Sequence, residues 1–464
     1  MNRREFLFSA GAATLMAGCR TRGLFGSPDL SFGVVSDIHV TTPKSCRLFE
    51  RALRYLKRRG VDAVMIPGDL TDWGLLSNYR CVKETWDRVF AGTDVVPLFC
   101  TGNHDYDGWA YTDIRVEMQA NGYSDKEAFY FTGGIAKGWK EVFGEEFAAI
   151  RCRTVKGYSF VSGEWGGYKE LGKWMERNGA ALKGEKPFFY FQHPPIKGTT
   201  SDSTGWADNG ATKPVLDAYP NCVAFTGHAH RPFYDEGMIW QGAFTAIGTP
   251  SLSYACPTGQ HENGNPPKGT TPSMQMEPTR LDLRGGQGYF VDVWPDRIAV
   301  ERVDFEEEDS DQEAWVIPLP LGRAKPYDPA ARAKALPAPA FPAGAELEVE
   351  TRNGCNRRGG YSIVMNCEFP SARMPRGLRV FDYEIRAVPA DGSEPMVKRF
   401  LSPAYAKMEK YEPARQRFWF DVKDLPTGKD YRLEVYARNS FGAVSKPIRS
   451  EVLHAEPYVP YKSK

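Results

Sequence analysis

The chain lacks an excess of charge of either sign, because its 464 residues include 59 lysines and arginines against 58 aspartates and glutamates. Binding to nucleic acid phosphates requires a basic surface, so DNA and RNA are not expected partners. Beyond the N-terminus, no apolar run is long enough to form a membrane-spanning helix. The nine cysteines do not follow the spacing of a disulfide framework, and a pairing of Cys355 with Cys367 outside the cytoplasm stays open.

The N-terminus has the features of an export signal, which are a basic start, a short apolar core and small residues before a cleavage point. Arg3-Arg4 followed by Phe6-Leu7 resembles the twin-arginine class, which is read as an address rather than an anchor. Leu15–Cys19 resembles a bacterial lipobox, with Met16 where leucine is commoner. The alternative is a simple cleaved signal with an incidental cysteine. We expect an exported bacterial protein of the cell envelope, in the periplasm or at the cell surface, anchored through lipidated Cys19.

Histidine is also scarce, and five of the seven histidines lie in five short islands of the sequence. Each island directly follows an apolar run short enough to be a buried strand. The islands are Asp37-Ile38-His39, Gly68-Asp69-Leu70-Thr71-Asp72, Gly102-Asn103-His104-Asp105, His193 and Gly227-His228-Ala229-His230. Sites in open α/β sheets gather beyond the carboxyl ends of the strands, so these distant islands are expected to meet at one rim.

The islands contain seven candidate metal ligands, which are Asp37, His39, Asp69, Asn103, His193, His228 and His230. Imidazole, carboxylate and amide oxygen together suit divalent or trivalent Mn, Fe or Zn. No cysteine lies in an island, which argues against a closed structural zinc site. We expect Gly68, Gly102 and Gly227 to supply positive φ angles at sharp turns before the ligands. His104 remains as a candidate acid.

This ordered set resembles the calcineurin-like metallophosphoesterase family, whose pattern is D-x-H, G-D-x-x-D, G-N-H-D/E, a lone H and G-H-x-H. The resemblance covers roughly residues 30 to 305 and implies two ions, with metals among Mn, Fe and Zn. The implied ligands are Asp37, His39 and His230 for one ion, Asn103, His193 and His228 for the other, and Asp69 as the bridge. The resemblance also implies that His104 acts near the leaving group and that Asp72 orients it.

Several nearby residues have simpler explanations. Asp72 and Asp105 could be solvated turn residues, because aspartate favours turns. The aromatic residues that flank the motifs are expected to pack in the core or at the rim rather than line a substrate pocket; they are Trp73, Tyr106 and Trp109. His261 and His454 lie outside the islands and are expected at the surface.

The order of elements predicts an α/β fold with a two-layer sheet core, flanking helices and the metals at one edge of the sheets. Lys44–Arg59 and Asn78–Phe90 have helical apolar spacing, and they alternate with the strands that precede the first three islands. Tyr106–Ala149 interrupts this order and could form either a roof over the site or a structural flap. Pro257–Gly286 is expected to be a long polar loop.

We predict five segments, which are an export signal (1–19), a tether (20–29), a metallophosphoesterase domain (30–306), a stiff Pro/Ala-rich linker (307–342) and an all-β sandwich (343–456). Short strands separated by turn residues predict the sandwich. Leu425–Gly442 resembles the last strands of a fibronectin type III module, with Tyr431 as the corner tyrosine. An unrelated β-sandwich is the alternative.

The resemblance implies hydrolysis of small phosphate esters. The second and third islands look like those of the small cyclic-nucleotide and other phosphodiesterases, so a diester substrate is slightly favoured, and a monoester stays open. In the purple acid phosphatase branch a tyrosine stands where this chain has Asp72. The alternative function is a non-catalytic, lipid-anchored protein that binds a ligand through its sandwich. A third interpretation makes the sandwich a glycan- or protein-docking module beside an active enzyme.

Overall fold

The computed structural model describes residues 26–107, 134–200, 207–255, 283–308, 312–355, 361–375, 378–402, 405, 414–421 and 428–455. The signal at 1–19, including Cys19, lies outside the described residues, as do Trp109 and His261. Most of the predicted polar loop and the first part of the 106–149 insert also lie outside them. A helix with the length and hydropathy to cross a membrane does not occur within the described ranges.

The first part of the chain alternates strands and helices, as the sequence predicts. Its strands are β1 (Leu30–Val34), β2 (Ala63–Pro67), β3 (Val96–Cys100), β4 (Ile150–Val155), β5 (Tyr158–Gly163), β6 (Phe188–Gln192), β7 (Cys222–Thr226), β8 (Ile239–Gln241), β9 (Thr245–Gly248), β10 (Tyr254–Ala255), β11 (Leu283–Arg284), β12 (Gln287–Val293), β13 (Arg297–Asp304) and β14 (Trp315–Pro318). Its helices are α1 (Cys46–Arg59), α2 (Leu76–Phe90), α3 (His104–Asp107), α4 (Gly134–Phe143), α5 (Leu171–Asn178), α6 (Thr212–Leu216) and α7 (Pro329–Ala335).

Two six-stranded sheets form the core of this part. One has the order β14-β13-β12-β1-β2-β3 and the other β4-β5-β6-β7-β9-β8. They pack face to face through aromatic side chains: the ring of Phe32 on β1 lies 5.3 Å from Phe160, 4.8 Å from Phe189 and 6.0 Å from Phe225 on the opposite sheet. The predicted two-layer sheet core with flanking helices is therefore confirmed.

Helices cover the outer face of each sheet. Helix α1 buries Phe49, Leu53 and Leu56 against the first sheet because their spacing puts them on one face. It ends at Gly60, whose φ of 76° closes the helix in the left-handed region. Helix α4, in the second half of the predicted insert, packs Trp139 into this same cluster. This half of the insert is thus part of the structural core rather than a roof over the islands.

Strand direction brings the islands to one edge of the molecule. Strands β1, β2 and β3 run parallel within the first sheet, and β5, β6, β7 and β9 run parallel within the second. A backbone hydrogen bond from Gly227 to the carbonyl of His193 joins two islands of the second sheet. Ser253 donates to the carbonyl of Asp37 and joins the two sheets at the same edge. The islands therefore meet where both sets of parallel strands end.

The segment 307–342, predicted as a stiff linker, contains regular structure. Strand β14 pairs antiparallel with β13 and extends the first sheet. Trp315 and Ile317 are buried while Val316 is exposed, and this alternation favours a strand despite the proline-rich surroundings. Asp328 caps the N-terminus of helix α7, and its carboxylate accepts a hydrogen bond from the Ala331 amide at 2.8 Å. The linker prediction therefore does not hold for the residues of β14 and α7.

The C-terminal region is all-β, as predicted. Its strands are β15 (Glu348–Cys355), β16 (Tyr361–Pro370), β17 (Asp382–Pro389), β18 (Met396–Leu401), β19 (Arg415–Asp421), β20 (Asp430–Arg438) and β21 (Ile448–His454). They form sheets in the orders β15-β16-β19 and β18-β17-β20-β21. Side chains of both sheets share one apolar cluster, which includes Phe369, Phe418, Tyr383 and Leu433.

The register of the first hairpin of this region excludes the pairing of Cys355 with Cys367. Cys355 lies opposite Tyr361 and Cys367 lies opposite Val349. The two cysteines are therefore separated by six positions along the hairpin, which is about 20 Å at the rise of a strand. A disulfide needs Cα atoms within about 7 Å.

The packing between the sheets makes a prediction for Phe32. Phe32→Ala should lower the free energy of unfolding of this part of the chain by about 3–5 kcal/mol, because it leaves a cavity among three rings. Val316→Ala on the exposed face of β14 is the control and should change little. Urea unfolding followed by tryptophan fluorescence measures both. Equal midpoints for the two variants would contradict the packing described.

Candidate metal centre

Four predicted ligands form a first group at the shared edge. One donor atom each from Asp37, His39, Asp69 and His230 lies within 4.8 Å of the others. Nε2 of His230 lies 2.9 Å from Oδ1 of Asp37 and 3.4 Å from Nε2 of His39. Nε2 of His39 lies 3.6 Å from Oδ2 of Asp69. Two imidazoles and two carboxylates therefore face one small volume.

The remaining ligands form a second group that shares Asp69 with the first. Donor atoms of Asp69, His193 and His228 lie within 4.8 Å of one another. Nε2 of His193 lies 3.1 Å from Oδ2 of Asp69 and 3.1 Å from Oδ1 of Asn103. The structure thus brings together all seven predicted ligands, and the Asp69 carboxylate stands between the two groups.

A third cluster joins the first group to His104. Oδ1 of Asp72 lies 2.9 Å from Nδ1 of His39 and 3.3 Å from Nδ1 of His104. Hydrogen bonds to the two imidazoles hold the pKa of Asp72 below its usual value. The side chain of His104 is 31% exposed, whereas that of His39 is nearly buried. Asp72 is therefore a partner of two site histidines, and a purely solvated turn does not describe it.

Neighbouring oxygens set the orientation of three histidine rings. Nδ1 of His193 lies 2.8 Å from the carbonyl of Pro67, and Nδ1 of His230 lies 2.8 Å from the carbonyl of Tyr254. A carbonyl oxygen only accepts, so Nδ1 carries the proton in both rings and donates it. The carboxylate of Asp72 acts on His39 in the same way. In each ring Nε2 is therefore the nitrogen whose lone pair would bind a metal ion.

The backbone at the ligands is strained. Seven non-glycine residues in the described ranges have a positive φ, and five of them are predicted ligands: Asp37 (52°), His39 (46°), Asp69 (49°), His228 (68°) and His230 (49°). The left-handed region costs a non-glycine residue roughly 1–2 kcal/mol. Such strain collects at functional sites, where surrounding contacts hold it. His228 and His230 are thus not in an extended segment, and the twist between them sends one ring to each ligand group.

Two of the three glycines before the ligands serve a purpose other than the predicted one. Gly68 has the expected positive φ, at 92°. Gly102 and Gly227 do not, and they are needed for close approach instead. A Cβ at Gly102 would lie 2.1 Å from Oδ1 of Asp69, and one at Gly227 would lie 2.7 Å from Oδ2 of Asp37. Any side chain at either position would displace a ligand carboxylate.

The ionised carboxylates of the site favour the binding of cations. Burial raises the pKa of Asp37, but His230 and His193 outweigh it and bring the pKa below its ordinary value. The pKa of Asp69 is lowered in the same way, since His193 and His39 outweigh its burial. Burial lowers the pKa of His193, yet Asp69 and Asp37 raise it to about 9. Burial and His193 lower the pKa of His228 to about 3. A bound cation would replace the proton of His193.

Sequence analysis missed the structural role of Asp105. This residue is fully buried, so the alternative of a solvated turn residue is wrong. Its carboxylate accepts hydrogen bonds from the amides of Leu70, Thr71 and Gly102 and from the Thr71 hydroxyl, at 2.9–3.1 Å. Burial and the charge of Asp69 raise its pKa to about 7. Asp105 therefore fastens the second island to the third.

Glu164 is a second residue that the motifs did not indicate. It follows β5, and its Oε2 accepts hydrogen bonds from the amide and hydroxyl of Thr101 at 2.7 and 2.8 Å. Its Oε1 pairs with Arg151 at 2.5 Å. Glu164 thus fixes the start of the third island. Its position beyond another parallel strand is the signal that could have found it.

Aromatic residues flank the two ligand groups. The ring of Trp165 lies 5.9 Å from His193 and 5.7 Å from His228, while Tyr254 lies 4.3 Å from His230. Trp73 is 48% exposed, so it does not pack in the core, and a position at the rim stays a prediction. Tyr106 is buried as expected, and its hydroxyl lies 3.2 Å from the Thr101 hydroxyl. His454 is a surface residue paired with Asp430 at 2.6 Å.

The donor set fits metal ions. Oδ2 of Asp69 is buried, and the nearest donors that the structure describes are imidazole nitrogens: Nε2 of His193 at 3.1 Å and Nε2 of His39 at 3.6 Å. When Nε2 of these rings carries no proton, this oxygen has no hydrogen-bond donor among the described residues. A buried carboxylate oxygen without a partner is costly, and a cation is one way to satisfy it. Imidazole nitrogens and carboxylate oxygens surround it, which are ligands that Mn, Fe and Zn accept. Asp69 could therefore be shared by an ion on each side.

Comparisons with known proteins agree with this chemistry. Residues 30–232 match the family model described as calcineurin-like phosphoesterase. A search of curated proteins gave no match. This family implies divalent metal ions, which the clustered aspartates and histidines could hold.

Three solved structures are similar to the chain at low identity. GAP50, the anchor in the inner membrane complex of Plasmodium, is 12% identical over 66% of this chain and 93% of that chain, with a TM-score of 0.36. A predicted phosphoesterase from Streptococcus pneumoniae is 13% identical over 62% and 97%, with a TM-score of 0.27. Purple acid phosphatase PPD1 from yellow lupin seeds is 12% identical over 62% and 53%, with a TM-score of 0.38. The match of residues 30–232 to the family model, and not these structural similarities, supports a phosphoesterase domain.

The close approach at Gly102 makes a prediction that needs no substrate. Gly102→Ala should lose bound metal, because its methyl group would collide with the Asp69 carboxylate and amide. Gly172→Ala in α5 is a matched control, since its Cβ would meet only Val215 at an ordinary 3.6 Å. Elemental analysis after dialysis against Mn measures both. Full metal content in Gly102→Ala would show that Asp69 is not a ligand in this position.

Proposed function

Because residues 30–232 form a calcineurin-like phosphoesterase domain, we propose that the protein is a metal-dependent hydrolase of phosphate esters that prefers diesters to monoesters. One observation carries the proposal: the buried carboxylate of Asp69 belongs to both groups of imidazole and carboxylate donors. The preference for diesters comes from the likeness of the second and third islands to those of small phosphodiesterases.

In this proposal each ligand group holds one ion. Asp37, His39 and His230 would hold the first, Asn103, His193 and His228 would hold the second, and Asp69 would be shared by both. When bound, the ions would supply Lewis acidity and neutralise charge on the phosphoryl group. The Nε2 lone pairs, fixed by the carbonyls of Pro67 and Tyr254, support this arrangement.

His104 is the proposed acid for the leaving group. It lies on the open side of the site, where a third of its side chain is exposed and can reach a substrate. Its Nδ1 faces both the carboxylate and the backbone carbonyl of Asp72 at 3.3 Å, so Nε2 is directed elsewhere. Asp72 positions this ring and that of His39 at the same time.

The proposal also includes roles for the N-terminal signal and for the C-terminal region. Export through a twin-arginine signal and anchoring through lipidated Cys19 are supported by the residues described above. A fibronectin type III-like assignment of the C-terminal region is supported by its sheets of three and four strands and by Tyr431, which is buried on β20. Docking of a glycan or protein by this region is a further proposal. The non-catalytic alternative has no support, because every expected ligand side chain is present.

A panel of chromogenic phosphate esters with added Mn tests the proposed function. The wild type should hydrolyse bis-p-nitrophenyl phosphate with a higher kcat/KM than p-nitrophenyl phosphate. Asp69→Asn should lose metal and activity together, because an amide cannot replace a bridging carboxylate. The control is Asp87→Asn, a surface aspartate paired with Lys83. Absence of turnover on every ester, or full metal content in Asp69→Asn, would refute the proposal.

His104→Ala separates acid catalysis from metal binding. It should keep its metal content and lose about 10²–10⁴-fold in kcat, which is the usual contribution of a positioned acid or base. The loss should be smaller for esters with better leaving groups, since these need less protonation. His454→Ala is the surface control. Unchanged turnover in His104→Ala would remove this residue from the mechanism.

A further inference from the structure

The segment that follows the last ligand is buried and rich in charge. Residues 231–236, which we call the post-ligand segment, are buried throughout. Arg231 comes directly after His230 and is fully buried, as is Asp235. Burial of charged side chains requires partners, because the loss of hydration costs several kcal/mol for each ion.

Some of these partners come from the C-terminal all-β region. The hydroxyl of Tyr405 donates a hydrogen bond to Oδ2 of Asp235 at 2.8 Å and lies 3.4 Å from Nη1 of Arg231, which donates to it. Tyr405 is 1% exposed, and its ring packs edge-on against Phe381 at 4.9 Å. The guanidinium of Arg379 lies 3.4 Å above the ring of Tyr234. One tyrosine thus contacts two of the three buried charged side chains of the post-ligand segment, Arg231 and Asp235.

The same segment is also fastened to the first part of the chain. Oδ1 of Asp235 accepts a hydrogen bond from the amide of Gly237 at 2.8 Å. Glu236 pairs with Arg302 on β13 at 2.6 Å and with Arg332 on α7. Removal of one partner from a buried ion pair is strongly destabilising, because it leaves an uncompensated buried charge. The post-ligand segment is therefore held from the first sheet, from α7 and from the C-terminal region.

His230 depends on contacts on both sides, because its left-handed backbone is unfavourable without them. Before it, the amide of His228 donates to the Asp37 carboxylate at 3.1–3.2 Å. After it, the chain continues at once into Arg231 and the Tyr405 contact. A strained conformation persists only where surrounding structure over-determines it.

We propose that Tyr405 is a positioning residue for the metal centre, so that the C-terminal region sets the affinity of the ion held by Asp37, His39 and His230. This inference rests on the proposed metal site and adds to it. The C-terminal region then completes the enzyme through the post-ligand segment, and its Tyr405 hydroxyl fixes Arg231 and Asp235 behind His230.

Removal of a single hydroxyl tests the proposal in the full-length chain. Tyr405→Phe keeps the ring and its packing on Phe381. Mutation of the hydrogen-bond partner of a metal-binding histidine typically costs 10–100-fold in metal affinity. Tyr405 contacts Arg231, the residue after His230, rather than His230 itself. We therefore expect a smaller effect, with Mn bound about five- to tenfold more weakly. Competition with a fluorescent chelator measures this affinity. Only one of the two Mn-binding steps should weaken.

Tyr383→Phe is the matched control. Tyr383 is buried in the same region, and its hydroxyl accepts a hydrogen bond from the Ala372 amide at 3.2 Å. Each variant loses one buried hydroxyl, and that of Tyr405 makes two hydrogen bonds to charged side chains. The unfolding temperature in excess chelator should therefore fall in both variants, and at least as far in Tyr405→Phe. Only Tyr405→Phe should alter Mn affinity. If Tyr405→Phe does not fold, Asp235→Asn removes the charge at the other end of the contact and should weaken the same step.

The outcomes separate this inference from the proposed function. Wild-type Mn affinity in Tyr405→Phe, or in Asp235→Asn where that variant replaces it, overturns the inference and leaves the phosphoesterase proposal in place. An equal loss of affinity in Tyr383→Phe also overturns it, because the effect would then be a general consequence of lost stability. A wild-type chain that binds no Mn would refute both.

Discussion

The carboxylate of Asp69 is the point on which the rest of the site depends. It stands at the end of β2, between donors from the first sheet and donors from the second. Four histidines and two further oxygen donors surround it in two groups that share its carboxylate. Without a cation, this arrangement buries two ionised carboxylates that only imidazoles offset among the described residues, which is unfavourable.

A second set of residues maintains this arrangement. Asp105 ties the second island to the third, and Glu164 fixes the start of the third from the opposite sheet. Beyond the last island, the contact of Tyr405 with Arg231 and Asp235 joins the C-terminal region to the same edge. The left-handed backbone conformation of five predicted ligands is unfavourable. The hydrogen bonds of the surrounding residues hold the chain in this conformation.

The meeting of these side chains could be predicted from the sequence because parallel strands end at one edge, so residues such as Asp37 and His193 can come together although 156 positions separate them. The role of a residue could not be predicted where tertiary contacts determine it. Asp105 is of a type that favours turns, and only the folded chain surrounds its carboxylate with amide donors. Strand β14 lies in proline-rich sequence and forms because β13 offers an edge for pairing. The role proposed for Tyr405 has no local pattern, since its partners lie about 170 residues earlier.

The central claim is that the Asp69 carboxylate lies between two ions. Anomalous diffraction from crystals of the wild-type chain grown with Mn, collected on either side of the Mn absorption edge, tests it most directly. The account predicts two anomalous peaks, one beside Asp37, His39 and His230 and the other beside Asn103, His193 and His228, with the Asp69 carboxylate contacting both. A single peak that does not touch Asp69, or peaks only at surface carboxylates, would contradict it.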